Sequence, residues 1–302
     1  MSDDGRGRLS TEAIDPDGPA LDQLSAEQAL AAFSTSDAEA VAAVAAARPA
    51  LAQAVDLVAE KLRAGGRLIY VGAGTSGRLG VLDAAECPPT FGSDPGQVRA
   101  LIAGGDRALT LPVEGAEDDA QAGATDLAQL GPNPLDCVFG IAAGGTTPYV
   151  HGALGEAQRS GASTLFLACV PFEQVSDDYD VSIRAVTGPE LLAGSTRLKA
   201  GTATKLCLNA LTTLVQARLG KVHGNLMVDV NTGANAKLVA RGTRLVARLT
   251  GLEYKLAGEL LERAAGSVKC AAVMHAHALD LDQARSRLAA CDGQLRAALG
   301  AS

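Results

Sequence analysis

The run Leu68-Ile69-Tyr70-Val71-Gly72-Ala73-Gly74-Thr75-Ser76-Gly77-Arg78-Leu79-Gly80 constrains this chain more than any other stretch. Its first four residues are apolar, aromatic or β-branched, a strand pattern. Gly72, Gly74 and Gly77 follow, interleaved with Thr75 and Ser76, and then a helical spacing of Leu79, Val81, Leu82 and Ala85. Glycines let the backbone take positive φ and come close to a ligand. The amides that open the next helix point at an anion, and the helix dipole favours it. Thr75 and Ser76 add hydroxyl donors, each hydrogen bond to a charged group contributing about 1.5–3 kcal/mol. No Gly-Lys-Ser/Thr follows, which excludes a nucleotide P-loop. No later strand ends in an acidic ribose ligand, so a dinucleotide fingerprint fits poorly. A tight strand–helix turn with no ligand is the competing reading.

From Arg67 to about Gly220 short apolar segments alternate with helical ones. Strands are predicted at 68–71, 100–102, 137–142, 164–167 and 181–186. Segments apolar on both faces and separated by helices point to a parallel sheet covered on both sides. Such sheets bind ligands at the carboxyl ends of their strands. A second Gly/Thr turn, Ala142-Ala143-Gly144-Gly145-Thr146-Thr147-Pro148-Tyr149, follows the strand from Cys137. Two such turns point to a phosphorylated small ligand, with Gly74, Thr75, Ser76, Thr146 and Thr147 as donors.

Before the sheet, residues 1 to about 24 read as loosely attached. Two helices are predicted from capping boxes at Ser25-Ala26-Glu27-Gln28 and Ser36-Asp37-Ala38-Glu39, then a third over 48–64. Residues 250–302 read as a bundle of three short helices, structural or dimer-supporting. The resulting division is 1–57 (tail and helices), 58–221 (the sheet domain with the two Gly-rich turns) and 222–302 (linker helix and bundle).

The net charge of −8 argues against nucleic acid or an anionic membrane as main partner. Met1 to Gly18 is polar, without an apolar core of secretory length, and no run approaches about 20 uninterrupted apolar residues. The six cysteines are scattered with no Cys-x-x-Cys pair, as expected of reduced thiols. A cytoplasmic location follows as the expectation.

Three clusters carry possible chemistry. Glu86 stands in Glu86-Cys87-Pro88-Pro89-Thr90, where two prolines predict a rigid, non-helical corner; a helix-terminal surface residue is the alternative. Cys87 has no sequence-adjacent His to activate it, so burial is favoured over nucleophilic work. Glu114 and Glu117 lie three apart near a helix start, where the dipole alone favours acids. The run Ser195-Thr196-Arg197-Leu198-Lys199-Ala200-Gly201-Thr202-Ala203-Thr204-Lys205 opens a helix. It is either a solvated basic helix start or a set of donors, Ser195, Thr196 and Lys199 among them, that completes an anion site. No His/Cys/carboxylate spacing suggests a metal.

Taken together, Gly72–Gly80, Asp83-Ala84-Ala85-Glu86-Cys87-Pro88-Pro89-Thr90, Glu114-Gly115-Ala116-Glu117-Asp118, Ser195–Lys205 and Gly224-Asn225-Leu226-Met227-Val228-Asp229 closely resemble the N-acetylmuramic acid 6-phosphate etherases, in order over roughly residues 10–300. The resemblance implies a sugar isomerase (SIS) domain, a flavodoxin-like αβα sandwich with a parallel sheet, flanked by N-terminal helices and a small C-terminal helical bundle. It implies a homodimer, no metal or nucleotide cofactor, and a phosphorylated amino sugar substrate that loses D-lactate in cell-wall recycling. By the same resemblance Glu86 corresponds to the proton donor and Glu117 to the second catalytic acid; which acts as acid and which as base stays open. The second loop departs from the family's Ala-Ser-Gly-Arg-Thr-Pro-Tyr: Gly144 stands in place of Ser and Thr146 in place of Arg. Asn235-Ala236-Lys237-Leu238 replaces Asn-Glu-Lys-Leu. Two rivals share the fold: a sugar-phosphate-binding regulator resembling the glucokinase regulatory protein, and an aldose–ketose phosphate isomerase.

Overall fold

The computed structural model describes residues 6–233 and 236–300. Asn235, one of the departures above, and the first five residues of the expected loose tail lie outside them.

Five strands form one sheet: β1 (Leu68–Gly72), β2 (Val98–Ile102), β3 (Cys137–Ile141), β4 (Ser163–Ala168) and β5 (Val181–Arg184). Their order is β2-β1-β3-β4-β5, every pair parallel. This is the flavodoxin-like order, whose direction of winding reverses between β1 and β3, so a crevice opens at the carboxyl ends of those strands. β1 and β3 are buried at every position, as strands covered on both faces must be.

The helices before and among these strands are α1 (Ala26–Ala46), α2 (Arg48–Arg63), α3 (Gly74–Phe91), α4 (Ala120–Gln129), α5 (Pro148–Arg159) and α6 (Lys199–Arg218). One sheet face packs Ile69, Val71, Val138 and Phe166 against Leu127 of α4 and Val150, Ala153 and Leu154 of α5. On the other face α3 lies close to β1: a Cβ on Gly80 would come 3.0 Å from Cβ of Tyr70. Asp83 of α3 accepts from the Tyr70 hydroxyl at 2.9 Å and from Thr212 of α6 at 3.1 Å. At the end opposite the crevice, fully buried Asp136 accepts from the Arg67 amide and guanidinium and from Asn133. That network draws the starts of β1 and β3 together.

The chain divides into two compact units, residues 1–85 with 96–212, and residues 86–95 with 213–302. The second holds a two-stranded hairpin, β6 (Val222–His223) and β7 (Leu226–Met227). It also holds α7 (Ala236–Thr250), α8 (Tyr254–Arg263), α9 (Val268–His277), α10 (Leu281–Ala289) and α11 (Leu295–Ala298). Its core gathers Val228, Val246, Leu260, Leu261, Val273 and Leu295 among others. Asp229 pairs with Lys221 at 3.1 Å and with nearly buried Lys269 at 2.6 Å.

Several expectations need correction. The two N-terminal helices are one: α1 runs through Ser36. The Ser25 capping box forms, but no second one forms at Ser36: Ser34 and Thr35 donate to the carbonyls of Leu30 and Ala31, the pattern such residues adopt inside a helix rather than at its cap. By length and composition α1 is also apolar enough to cross a membrane, although Glu27, Asp37 and Glu39 interrupt its apolar run. The corner after Glu86 is helical: α3 continues through Pro88 and Pro89 to buried Phe91 and closes where the Gly92 amide donates to the Pro88 carbonyl at 2.9 Å. Each proline removes an N–H donor and crowds the carbonyl four residues back, and both fall close to the end of α3, where few turns remain to be disturbed. Past residue 250 there are four helices, not three. Finally, residues 6–24 are not loose throughout, since Leu9 and Thr11 are buried.

Candidate active site

The β1–α3 turn is shaped by backbone contact. A Cβ on Gly72 would sit 2.6 Å from the Gly77 amide nitrogen, and one on Gly77 2.6 Å from Ile102 Cγ1. Only glycine at both places lets the strand end and the helix start lie this close, and Gly74 turns the chain at φ +50°. The first amides of α3 have no intrahelical acceptor; Gly77 is the first whose amide reaches back, to the Ala73 carbonyl at 3.1 Å.

Beyond β3 the chain makes the second turn. Gly145 takes φ +78° and its amide donates to the Ala142 carbonyl at 2.9 Å. Thr147 precedes Pro148, the first residue of α5, and its hydroxyl makes no capping bond, which leaves it available. His151, one turn into α5, lies with Nε2 2.8 Å from the Gly145 carbonyl oxygen and Nδ1 2.7 Å from the Tyr179 hydroxyl. Burial, then Asp177 and Asp178, pushes Tyr179 up to about 12, so its hydroxyl keeps its proton. A carbonyl can only accept, so His151 donates from Nε2 to Gly145 and accepts at Nδ1 from Tyr179.

These turns enclose a cavity of about 390 Å³. Gly74, Thr75, Ser76, Thr146, Thr147, Thr196 and Glu117 all line it. Seven of the residues singled out in the sequence thus meet in one place. Glu117 is exposed and sits in a single 3₁₀ turn, Ala116–Asp118, which follows Gly115 at φ +74°. Glu86, Ser195 and Lys199 do not line the cavity; Glu86 is exposed, on α3.

The Ser195–Lys205 run behaves differently from expectation. The amides of Lys199 and Ala200, which open α6, are held at 2.8 and 3.0 Å by the two carboxylate oxygens of buried Glu190. The anion at this helix start is therefore the protein's own. The buried Lys199 side chain turns to Glu39 of α1, Nζ to Oε2 2.5 Å, and is spent on that ion pair. Of the run, Thr196 alone reaches the cavity.

Sequence reasoning missed three features. His151 carries no local signal; its role exists only because α5 brings it under the Gly145 turn. Gly7, Leu9 and Glu12 line the cavity from the segment expected to be loose. Glu190 caps a helix nine residues further on, beyond any capping-box spacing.

No cysteine is among the described residues that line the cavity. Cys137, Cys169 and Cys207 are buried, and burial pushes each thiol up to about 12. Cys87 is buried as expected. No cluster of His, Cys, Asp and Glu able to hold a metal occurs among the described residues.

Residues 50–158 match the family model described as the glucokinase regulatory protein N-terminal SIS domain. Over 296 residues the chain is 56% identical to the N-acetylmuramic acid 6-phosphate etherase of Synechococcus sp. (strain CC9605), covering 98% of this chain and 93% of that one. It is 54% identical over 294 residues to the protein of the same name from Nostoc punctiforme, covering 97% and 95%. Among solved structures it is similar to a phosphoheptose isomerase from Francisella tularensis, with a TM-score of 0.50 and 20% identity over 64% of this chain and 100% of that one, a likeness of fold. On full-length identity at this level, the chain belongs to the N-acetylmuramic acid 6-phosphate etherase family.

Proposed function

We propose that this chain is a carbon–oxygen lyase that removes D-lactate from N-acetylmuramic acid 6-phosphate and leaves N-acetylglucosamine 6-phosphate, in cell-wall recycling. The observation that carries this reading is the shared cavity: the hydroxyl-bearing Thr75, Ser76, Thr146, Thr147 and Thr196 and the first residues of α3, with Glu117 in the same lining. The first group suits a sugar phosphate. A pure binding site has no need of the second.

An alkyl ether at C3 leaves poorly unless the C2 hydrogen is acidified, which the C1 aldehyde of the open-chain sugar provides. One carboxylate takes the C2 proton while the C3–O bond breaks, and an acid delivers a proton to the departing lactyl oxygen. Water then adds across C2–C3, its oxygen to C3 and a proton to C2. Positioned general acids and bases contribute about 10²–10⁴-fold each to such steps. Glu86 and Glu117 are the pair assigned to them, on the family resemblance of their motifs. Thr75, Ser76, Thr146, Thr147 and Thr196 are assigned to the phosphate and sugar, with Gly74 giving close backbone approach. Ser195 and Lys199 are left supporting the α6 start. The 58–221 segment holds the substrate and 222–302 supports it.

The proposed working form is a cytoplasmic homodimer. Leu30 and Val41 of α1 are 66% and 57% exposed, an apolar face that a second subunit would cover. Glu86 and Glu117 are both exposed in the isolated chain. Their withdrawal from water, which acid–base chemistry gains from, then comes from substrate closure or the second subunit.

The direct test is incubation of purified protein with N-acetylmuramic acid 6-phosphate in ¹⁸O-labelled, deuterated water. D-lactate should appear, with solvent deuterium at C2 and labelled oxygen at C3 of the product. Retention of the original C3 oxygen would place cleavage on the lactyl side and end this mechanism. Sugar-phosphate binding with no lactate release would favour the regulator-like reading, and C1–C2 isomerisation with the ether intact the isomerase reading.

A further inference from the structure

A second, smaller cavity of about 210 Å³ adjoins the first and shares Ala73, Gly74 and Glu117 with it. Its remaining lining comes from Arg78 of α3, from Ala103 and Ala108 after β2, and from Pro112–Ala116. Among the described residues no lysine or arginine lines the larger cavity, whereas Glu12, Glu117 and Asp118 do. Across the two cavities Arg78 is the one cationic side chain among the described residues.

Arg78 is half-buried and its Nε donates to the Leu109 carbonyl at 3.1 Å. That bond fixes the plane of the guanidinium. Its two terminal amino groups have no hydrogen-bond or ion-pair partner among the described residues, although Glu114 and Glu117 line the same small cavity. A partly desolvated guanidinium held by one edge, with its fork free, is arranged for a bidentate carboxylate.

The substrate of the proposed reaction carries two anionic groups, the 6-phosphate and the lactyl carboxylate. Hydroxyls and helix amides line the larger cavity for the phosphate. The carboxylate stands on the group that leaves, beside the carbon at which Glu117 would work, where it faces repulsion from Glu114 and Glu117 unless a cation offsets it. We propose that Arg78 recognises the lactyl carboxylate, so that the small cavity is the leaving-group subsite and Arg78 a specificity-determining residue. This rests on the lyase reading above.

The test compares wild type, Arg78→Met and Arg78→Lys on N-acetylmuramic acid 6-phosphate, on the same sugar with its lactyl carboxylate converted to the amide, and on N-acetylglucosamine 6-phosphate as a binding ligand without a lactyl group. Arg78→Met should raise KM for the acid about 10- to 100-fold, as expected for loss of a charge-assisted pair. Arg78→Lys should recover part of it. Wild type should show a similar penalty on the amide, with little further loss when Arg78→Met acts on that amide. Affinity for N-acetylglucosamine 6-phosphate should stay within about twofold in both variants. Equal KM for acid and amide in wild type overturns the proposal without recourse to any variant, including one that fails to fold. So does an Arg78→Met protein that loses N-acetylglucosamine 6-phosphate and substrate alike, which would mark a structural or phosphate role. If wild type releases lactate and Arg78→Met is unaffected, the subsite assignment falls and the lyase reading stands; if wild type releases none, both fall.

Discussion

His151 Nε2 lies 2.8 Å from the carbonyl oxygen of Gly145, and the Tyr179 hydroxyl, 2.7 Å from Nδ1, fixes which nitrogen carries the hydrogen. The imidazole thereby holds the backbone of a turn whose threonines line the cavity. It does so from beneath, stacked on Tyr179 with ring centroids 6.1 Å apart.

Replacing His151 by Leu leaves the buried Gly145 carbonyl without its donor, at a cost of about 1–3 kcal/mol. The loosened turn should raise KM for the phosphorylated sugar up to about tenfold, with a much smaller change in kcat. His151→Gln keeps an N–H donor and should recover part of the loss. Steady-state kinetics separate this from catalysis: a large fall in kcat at unchanged KM would remove His151 from a positioning role.

Glu86→Gln and Glu117→Gln should each fold normally and lose about 10²–10⁴-fold in turnover with little change in ligand binding. Both residues are exposed, so neither substitution disturbs a core. Solvent-deuterium exchange at C2 tells the two apart. The variant lacking the base should neither exchange nor eliminate; the variant lacking the acid should keep the exchange while lactate release falls. Wild-type-like lactate release by either would take that residue out of the mechanism.

The sheet was legible because its strands are short apolar runs bounded by turn residues, a signal local to each segment. All five predicted strands overlap the observed ones; α3, α4 and α5 carry the crossovers that make β1 to β4 parallel, whereas β5 follows β4 with no helix between them, against expectation, and is parallel all the same. The Gly72–Gly77 turn was legible for a related reason, since several glycines at one strand end have few other uses. What escaped depends on distant partners. Lys199 looks like a phosphate ligand until α1 brings Glu39 to it, 160 residues away in sequence. Glu190 becomes a helix cap, and His151 a prop for Gly145, only in the folded chain. Leu9 and Thr11 sit in a polar, Gly-rich segment that nothing local marks for burial; Leu9 is buried in the cavity wall and Thr11 close to it in sequence.

The cysteines give a prediction with a sign. Cys137, Cys169 and Cys207 have thiols raised by burial to about 12, so at pH 8 their reactive thiolate fraction is on the order of 10⁻⁴. Half-buried Cys291 should therefore be alkylated first in the native protein, and those three only on unfolding, as mass spectrometry of iodoacetamide-treated protein would reveal. A raised folded value also means stability present below the ordinary thiol value and lost as pH climbs from about 9 towards 12. Rapid native labelling of Cys207 would contradict both expectations.

Ser76 tests the phosphate cradle. Ser76 lines the cavity from the first turn of α3. Ser76→Ala should raise KM by a factor equivalent to about 1.5–3 kcal/mol, a charged hydrogen bond. The unphosphorylated sugar should bind wild type and variant equally weakly. Unchanged affinity for the phosphorylated sugar, with equal affinity for the unphosphorylated one, would mean the phosphate lies elsewhere.

Gly144 tests the loop's departure from its family. Its φ lies outside the left-handed region, unlike that of Gly145, so a side chain is compatible with the backbone there. A Cβ at this position would meet Leu9 Cδ1 at 3.3 Å and Thr11 Oγ1 at 3.7 Å. The first contact is with the end of a flexible side chain, which needs to give by only a few tenths of an ångström. The second is with a buried hydroxyl that has no hydrogen-bond partner among the described residues. A serine hydroxyl at 144 can pair with Thr11 or turn into the cavity towards the phosphate, and either outcome is favourable. Gly144→Ser should therefore keep or raise Tm and lower KM about three- to tenfold if the hydroxyl faces the phosphate. Gly144→Ala, which adds the Cβ without the donor, should leave KM unchanged and separates the hydroxyl from the bulk. A rise in KM for both variants would show that the Leu9 contact closes the cavity instead. A higher Tm with unchanged KM for Gly144→Ser alone would place the new hydroxyl on Thr11.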